Sequence, residues 1–152
     1  MAIITLGANA ITALPAGIGG KVLQVVNYQE ATQRSTNTTS YTDIPNFSLN
    51  ITPSSASSKI LILVSSSTGN TGSSETKFTI AKNGTTLSAG DGFAYSYTPA
   101  GASYTHFGIS YLDSPNTTSS TNYKLQFKVG GSLGYASHAG TQGSFTLMEI
   151  AG

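Results

Sequence analysis

YKLQFKV, residues 123–129, alternates apolar and polar side chains without interruption. The two alternating sets are Tyr123, Leu125, Phe127 and Val129 on one side and Lys124, Gln126 and Lys128 on the other. Because successive side chains of a strand point to opposite faces of a sheet, this pattern predicts a β-strand with one buried and one solvated face. Such strands are typical of antiparallel sheets that pack over a core.

Patterns typical of β-strands also occur earlier in the chain. FSLNIT (residues 47–52) and residues 103–112 alternate in the same way. KILILV (residues 59–64) is apolar on both faces, which places it in the middle of a sandwich. Asn83 and Gly84 separate two short runs and predict a hairpin whose two turn residues both have positive φ.

The whole pattern predicts an all-β protein. Further strands are expected at residues 21–30, on both sides of the hairpin turn and at residues 144–150, and no window has a helical period. About eight strands in all, separated by clusters of turn residues, favour an antiparallel, jelly-roll-like β-sandwich.

The composition limits the classes of function. The chain has 152 residues, about one domain, and no cysteine, which excludes disulfides, thiolate metal sites and cysteine nucleophiles. Only 9% of residues are charged and the formal net charge is +1, so electrostatic binding of nucleic acid or anionic lipid is not expected. No signal peptide and no membrane-spanning segment are predicted. We therefore expect neither a nucleic-acid nor a membrane partner.

An apolar segment precedes the predicted sandwich. Residues 2–12 (AIITLGANAIT) are separated from it by a hinge that consists of Pro15, Gly17, Gly19 and Gly20. The chain thus divides into an N-terminal anchoring arm with its hinge, residues 1–20, and a β-sandwich domain, residues 21–152. An arm of this size suits the addition of one strand to the edge of a partner's sheet. The residues expected to anchor it are Ala2, Ile3, Ile4, Thr5 and Leu6.

The hinge glycines and Lys21 also suggest a phosphate-binding loop, but their spacing excludes it. A Walker motif has four residues between its glycines, followed by Gly-Lys-Ser/Thr and a helix. Here Gly17 and Gly20 are three positions apart, Val22 follows Lys21, and a strand comes next. The glycines are therefore interpreted as the hinge alone.

The remaining candidates for catalysis or metal binding do not converge. His106 lies on the polar face of its predicted strand and His138 in a glycine-rich stretch, and neither has carboxylates at ligand spacing. Asp91 in AGDGF and Asp113 in LDSP are interpreted as turn formers that bond local backbone amides. Serine residues are so abundant in this chain that the presence of any one of them does not indicate a catalytic nucleophile. We expect no enzymatic activity, no cofactor and no metal.

The segment FAYSYTPAGASY, residues 93–104, is rich in tyrosine. Tyr95, Tyr97 and Tyr104 are candidates for a surface that contacts a receptor sugar or another subunit, because tyrosine has a flat apolar face and a hydroxyl group. The alternative is that these rings pack in the core or at a subunit interface, which is the commoner role of aromatic residues in a small sandwich.

Several segments resemble a virion protein module that is common in tailed bacteriophages of aquatic bacteria and is usually found at the ends of tail fibres. The resemblance covers residues 20–152, and its most specific pieces are ITPSSASSKILI (51–62), LDSPNTTSSTNYKLQ (112–126) and FTLMEIAG (145–152). It implies a β-sandwich, a homotrimer and display on a particle, and it brings no catalytic residues.

The N-terminus departs from this resemblance. A fibre tip follows a long shaft, whereas only residues 1–20 precede the sandwich here. By analogy with capsid decoration proteins, we expect a trimeric cement protein whose arm binds the major capsid protein or another virion protein. The alternative is a short tail fibre or receptor-binding protein that contacts a host-surface glycan, and a polysaccharide-cleaving enzyme is a third class. The expected location is the surface of the virion, after synthesis in the host cytoplasm.

Overall fold

The computed structural model describes residues 21–88 and 90–152, which form eleven β-strands and one short 3-10 turn, His138–Gly140. The strands are β1 Val22–Glu30, β2 Arg34–Thr36, β3 Thr42–Ile51, β4 Lys59–Asn70, β5 Ser74–Lys82, β6 Thr85–Thr86, β7 Ala94–Thr98, β8 Ser103–Asp113, β9 Thr121–Val129, β10 Gly134–Ala136 and β11 Gly143–Ile150. None of the described residues belongs to a helix with the length and apolarity that spanning a membrane requires.

The eight longer strands form two antiparallel sheets. Sheet I has the order β1-β11-β4-β8, and sheet II has the order β3-β9-β5-β7. If only these eight strands are counted along the chain, sheet I has the order 1-8-3-6 and sheet II has the order 2-7-4-5. This is the strand order of a jelly roll. The prediction of an all-β, antiparallel, jelly-roll-like sandwich is confirmed.

The three short strands extend the two sheets. β10 pairs with the end of β4 beyond β11, and β2 pairs with β10. β6 returns along β5 through the turn at Asn83 and Gly84, where φ is 49° and 85°. The predicted two-residue turn is therefore present, and Asn83 also accepts a 2.9 Å hydrogen bond from the backbone of Asn122 in β9.

The structure differs from the predicted strands at several boundaries. β4 continues to Asn70 although residues 65–70 are polar, because β8 pairs with them on one side and β10 with their far end on the other. β7 was not predicted, since glycines and Pro99 flank a stretch of only five residues, and it exists by pairing with β5. In such cases the tertiary pairing overrides the local preference of the residues.

The core lies between the inner faces of the two sheets. The four alternating apolar side chains of β9 are buried as predicted, and Ile60, Ile62 and Val64 of β4 are buried in sheet I. Phe78 of sheet II stacks on Phe107 of sheet I with ring centroids 4.1 Å apart. Burial of each large apolar side chain contributes about 1.5–3 kcal/mol, so the core provides the main stabilisation of the sandwich.

Candidate interaction surfaces

The outer face of sheet II is charged. Lys124 pairs with Asp43 at 2.6 Å, and Lys77 pairs with Glu75 at 2.7 Å and with Asp91 at 2.9 Å. A second lysine, Lys128, approaches Asp91 at 3.4 Å. Hence this face consists of paired opposite charges rather than of a field of one sign.

The pairing keeps Lys77, Asp91 and Asp43 ionised. Hydrogen bonds to Glu75 and Asp91 raise the pKa of Lys77 above its usual range. The hydrogen bond from Lys77 lowers the pKa of Asp91, and the hydrogen bonds from Lys124 and Gln126 lower the pKa of Asp43. Sheet II therefore presents fixed charges to solvent at neutral pH.

The outer face of sheet I carries a continuous row of apolar side chains. In the strand register, Val25 of β1 opposes Met148 of β11, Met148 opposes Leu61 of β4, and Leu61 opposes Leu112 of β8. Val25 is 55% exposed and Leu112 is 49% exposed, while the two central side chains are partly buried. We call these four residues the apolar row; it crosses the sheet from one edge strand to the other.

Apart from Lys59, the residues around the apolar row are also apolar or neutral. Val22 opposes Ile150 on one side of the row, and Leu23 at the adjacent bulge is exposed. On the other side of the row, two further rows of residues lie on the same face of the sheet. The first consists of Asn27, Thr146, Leu63 and Ser110, and the second consists of Gln29, Ser144, Ser65 and Gly108. None of these eight residues is charged; the neighbouring cation on β4 is Lys59, which opposes Ile150.

The chain enters the sandwich beside the apolar row. The carbonyl oxygen of Lys21 accepts a 2.9 Å hydrogen bond from Ala151, which continues the pairing of β1 with β11 to the first described residue. The predicted arm residues Ala2 to Leu6 and the hinge residues Pro15 to Gly20 lie outside the described residues. Residue 20 is therefore joined to the sandwich at this corner of sheet I.

A cleft of about 440 Å³ opens on the outer face of sheet II at edge strand β7. Its lining includes Glu75, Lys77, Asp91, Phe93 and Tyr95. The candidate residues Tyr95 and Tyr97 are 57% and 53% exposed, and their rings are parallel to within 2° with centroids 6.5 Å apart. The structure thus brings these two tyrosines together beside a set of fixed charges.

The third candidate, Tyr104, lies on the outer face of sheet I and not beside the other two tyrosines. Its ring stacks on His138 with centroids 3.8 Å apart, and it covers Gly69, where a Cβ atom would lie 2.2 Å from the ring. His106 is exposed on the same face of β8, as predicted. A surface that uses Tyr104 is therefore separate from one that uses Tyr95.

Three carboxylates are buried, which the sequence did not predict. Glu30 accepts hydrogen bonds from Asn46 at 2.7 Å and from the backbone of Thr32 at 2.8 Å. Glu149 accepts two bonds of 2.7 Å from Ser54 and one of 2.6 Å from Gln24. Their partners Asn46, Ser54 and Gln24 are distant in the sequence, so no local pattern indicated these bonds.

Asp113 is the third buried carboxylate, and the interpretation of it as a turn former is wrong. It ends β8, where it accepts hydrogen bonds from Lys82 and Tyr123 rather than from local amides. Asp91 does lie in a turn, but its side chain pairs with Lys77 and Lys128 instead of a nearby backbone amide.

The pKa values of Glu30 and Glu149 follow from their partners. Hydrogen bonds from Asn46 and Thr32 lower the pKa of Glu30 to about 2. Burial raises the pKa of Glu149, but hydrogen bonds from Ser54 and Gln24 outweigh it and lower the pKa to about 2. Glu30 and Glu149 therefore stay ionised at neutral pH and bind neighbouring loop and strand residues, which is a structural role.

The sequence GGSLG, residues 130–134, matches the Gly-x-Ser-x-Gly pattern of a nucleophile elbow. That motif needs a sharp turn from a strand into a helix, whereas this one connects β9 to β10. The backbone N–H of Ser132 donates a 3.0 Å hydrogen bond to the hydroxyl oxygen of Ser74. Within residues 21–88 and 90–152, moreover, no three histidine or acidic side chains are grouped as metal ligands.

Comparison with known proteins gives no family for this chain. No known protein family matches it, and a search of curated proteins finds no relative. A search of solved structures finds infectious bursal virus-derived T=1 particles, with a TM-score of 0.46 and 16% identity over 86% of this chain and 37% of that chain. It also finds infectious bursal disease virus Gx strain, with a TM-score of 0.42 and 16% identity over 85% of this chain and 40% of that chain. The chain thus spans less than half of each match, and similarities this low indicate neither a family nor a function.

Proposed function

We propose that this chain is a non-enzymatic structural protein of a tailed-phage virion, a trimeric decoration protein that docks on the head through the outer face of sheet I. The observation that carries the proposal is the apolar row, which starts on β1, the strand that directly follows the N-terminal arm and hinge in the sequence. The choice of a phage virion as the particle rests on the resemblance of residues 20–152 to a tailed-phage virion module. The protein is made in the host cytoplasm and displayed on the virion surface.

The contrast between the two outer faces supports this orientation. Exposed apolar patches bordered by neutral residues mark sites of protein contact, and the apolar row fits that description. Burying the partly exposed ion pairs of Lys124 with Asp43 and of Lys128 with Asp91 would instead require their desolvation, which opposes association. Sheet I therefore faces the particle and sheet II faces solvent.

The arm and the apolar row act as two parts of one docking surface. Residues 2–6 add a strand to a sheet edge of the major capsid protein or another virion protein, and the hinge from Pro15 to Gly20 allows them to reach it. Three arms on one trimer raise the overall affinity by avidity, since each further arm binds intramolecularly.

Deletion of residues 2–12 tests the anchoring role. The truncated protein is expected to keep its oligomeric state in sedimentation experiments and to lose binding to particles that lack the full-length protein. Truncated protein that binds these particles as well as the full chain does would refute the anchor.

A short tail fibre or receptor-binding protein is the second candidate, and the exposed pair Tyr95 and Tyr97 favours it. Quantitative mass spectrometry of purified virions separates the two positions. A copy number close to that of the major capsid protein supports decoration, whereas a small number of copies supports a place on the tail.

A further inference from the structure

The cleft beside β7 combines an apolar platform with hydrogen-bonding groups. Tyr95 and Tyr97 present their rings to solvent on the outer face of sheet II, and both belong to an edge strand. Such rings pack against the apolar face of a sugar ring, while tyrosine hydroxyls accept and donate hydrogen bonds. A cleft with an aromatic wall and a few convergent polar groups is the usual form of a small-ligand site.

The charged groups of the cleft are held at fixed positions. The Nζ atom of Lys77 forms ion pairs with Glu75 at 2.7 Å and with Asp91 at 2.9 Å, and the Nζ atom of Lys128 lies 3.4 Å from a carboxylate oxygen of Asp91. The two carboxylates are matched by two lysines, so the cleft has no excess of either sign. Carboxylates accept strong hydrogen bonds from hydroxyl groups, whereas a balanced site gives a polyanion no net attraction.

The backbone of the cleft is also constrained. Gly92 has a φ of 102°, and a Cβ atom there would lie 2.4 Å from the carbonyl oxygen of Phe78. The hydroxyl of Tyr41 donates a 2.7 Å hydrogen bond to the carbonyl oxygen of Asp91. Phe93 packs on Tyr111 with ring centroids 4.8 Å apart. A site that is already ordered loses less entropy when it binds a ligand.

From these observations we infer that the cleft binds a neutral saccharide of a cell-surface or environmental glycan. The ligand stacks on Tyr95, and its hydroxyl groups donate to Glu75 and Asp91. The site lies on sheet II, opposite the face proposed to dock on the particle, so it stays accessible in the assembled virion. Its accessibility on the virion rests on the proposed function, whereas glycan binding by the purified protein does not.

An array of neutral and acidic microbial polysaccharides tests the inference with the purified full chain. The wild-type protein is expected to retain at least one neutral glycan. Tyr95→Ala is expected to weaken that binding about tenfold, equivalent to about 1.4 kcal/mol. Asp91→Asn is expected to weaken it as well, because the amide is a poorer acceptor than the carboxylate.

Tyr104→Ala is the matched control, since Tyr104 is 51% exposed but lies on the outer face of sheet I. It should leave glycan binding unchanged, and thermal unfolding should show that all three variants are folded. The inference is overturned if no neutral glycan is retained, if only acidic glycans are retained, or if Tyr95→Ala binds like wild type. None of these results bears on the particle-binding role of sheet I.

Discussion

The hydroxyl group of Tyr123 donates a 2.6 Å hydrogen bond to the carboxylate of Asp113 inside the sandwich. Lys82 donates to both oxygens of the same carboxylate at 3.0 Å. The three residues lie on β9, β8 and β5, so this cluster joins sheet I to sheet II. Removing one member leaves a buried charge with fewer partners, which costs more than the bond itself contributes.

Replacing Tyr123 by phenylalanine is expected to lower the free energy of unfolding by about 1.5–3 kcal/mol, the range for hydrogen bonds to charged groups. Urea denaturation followed by circular dichroism measures the change. Tyr95→Phe removes a hydroxyl from an exposed ring and should stay within about 0.5 kcal/mol of wild type. Equal stability of both variants would show that the bond to Asp113 contributes nothing.

Stability is expected to fall on acidification from about pH 4.5 to about pH 2. The pKa of Glu30 and of Glu149 is lowered from 4.5 to about 2 by folding. In this window the unfolded chain therefore binds more protons than the folded one, so the free energy of unfolding decreases as pH falls. Above pH 4.5 the contribution of both groups is complete.

Denaturation curves recorded across this pH range measure the effect, with Glu149→Gln as the informative variant. It should be less stable than wild type at neutral pH and should show a shallower loss of stability on acidification. A wild-type stability that is constant between these pH values would contradict the role of both carboxylates.

Gly84→Ala is expected to destabilise the hairpin by about 1–2 kcal/mol, the cost of a left-handed conformation for an L-residue. Gly84 has a φ of 85°, and a Cβ atom there would meet nothing within 4 Å, so the cost is conformational and not steric. Gly131 is the matched control, because its Cβ position is equally open and its φ does not lie in the left-handed region. Thermal unfolding of the two variants should differ, and equal melting temperatures would contradict the prediction.

The parts of the fold that adjacent residues determine were predictable from the sequence. The alternation of residues 123–129 predicted the buried face of β9, and Asn83 with Gly84 predicted the hairpin turn. β7 and the polar half of β4 were not predicted, since they become strands only through pairing with β5, β8 and β10.

The candidate surfaces were predictable only in part. Tyr95 and Tyr97 were recognised because they are close in sequence, but the cleft beside them also depends on Glu75 and Lys77, which come from β5. The apolar row combines single residues of four strands, and the register that aligns them is absent from any local pattern. Asp113 resembled a turn residue because Ser114 and Pro115 follow it, while its partners lie on other strands.

The proposed contact between the apolar row and the particle can be measured as the binding of Leu112→Glu to phage particles that lack this protein. Leu112 is 49% exposed, so the variant should fold normally, but its new charge would be buried on docking. Thr85→Glu adds the same charge at an exposed position of sheet II. Leu112→Glu is expected to bind at least about tenfold more weakly than wild type, equivalent to about 1.4 kcal/mol, while Thr85→Glu is expected to bind like wild type. If Leu112→Glu binds as tightly as wild type, the apolar row does not face the particle.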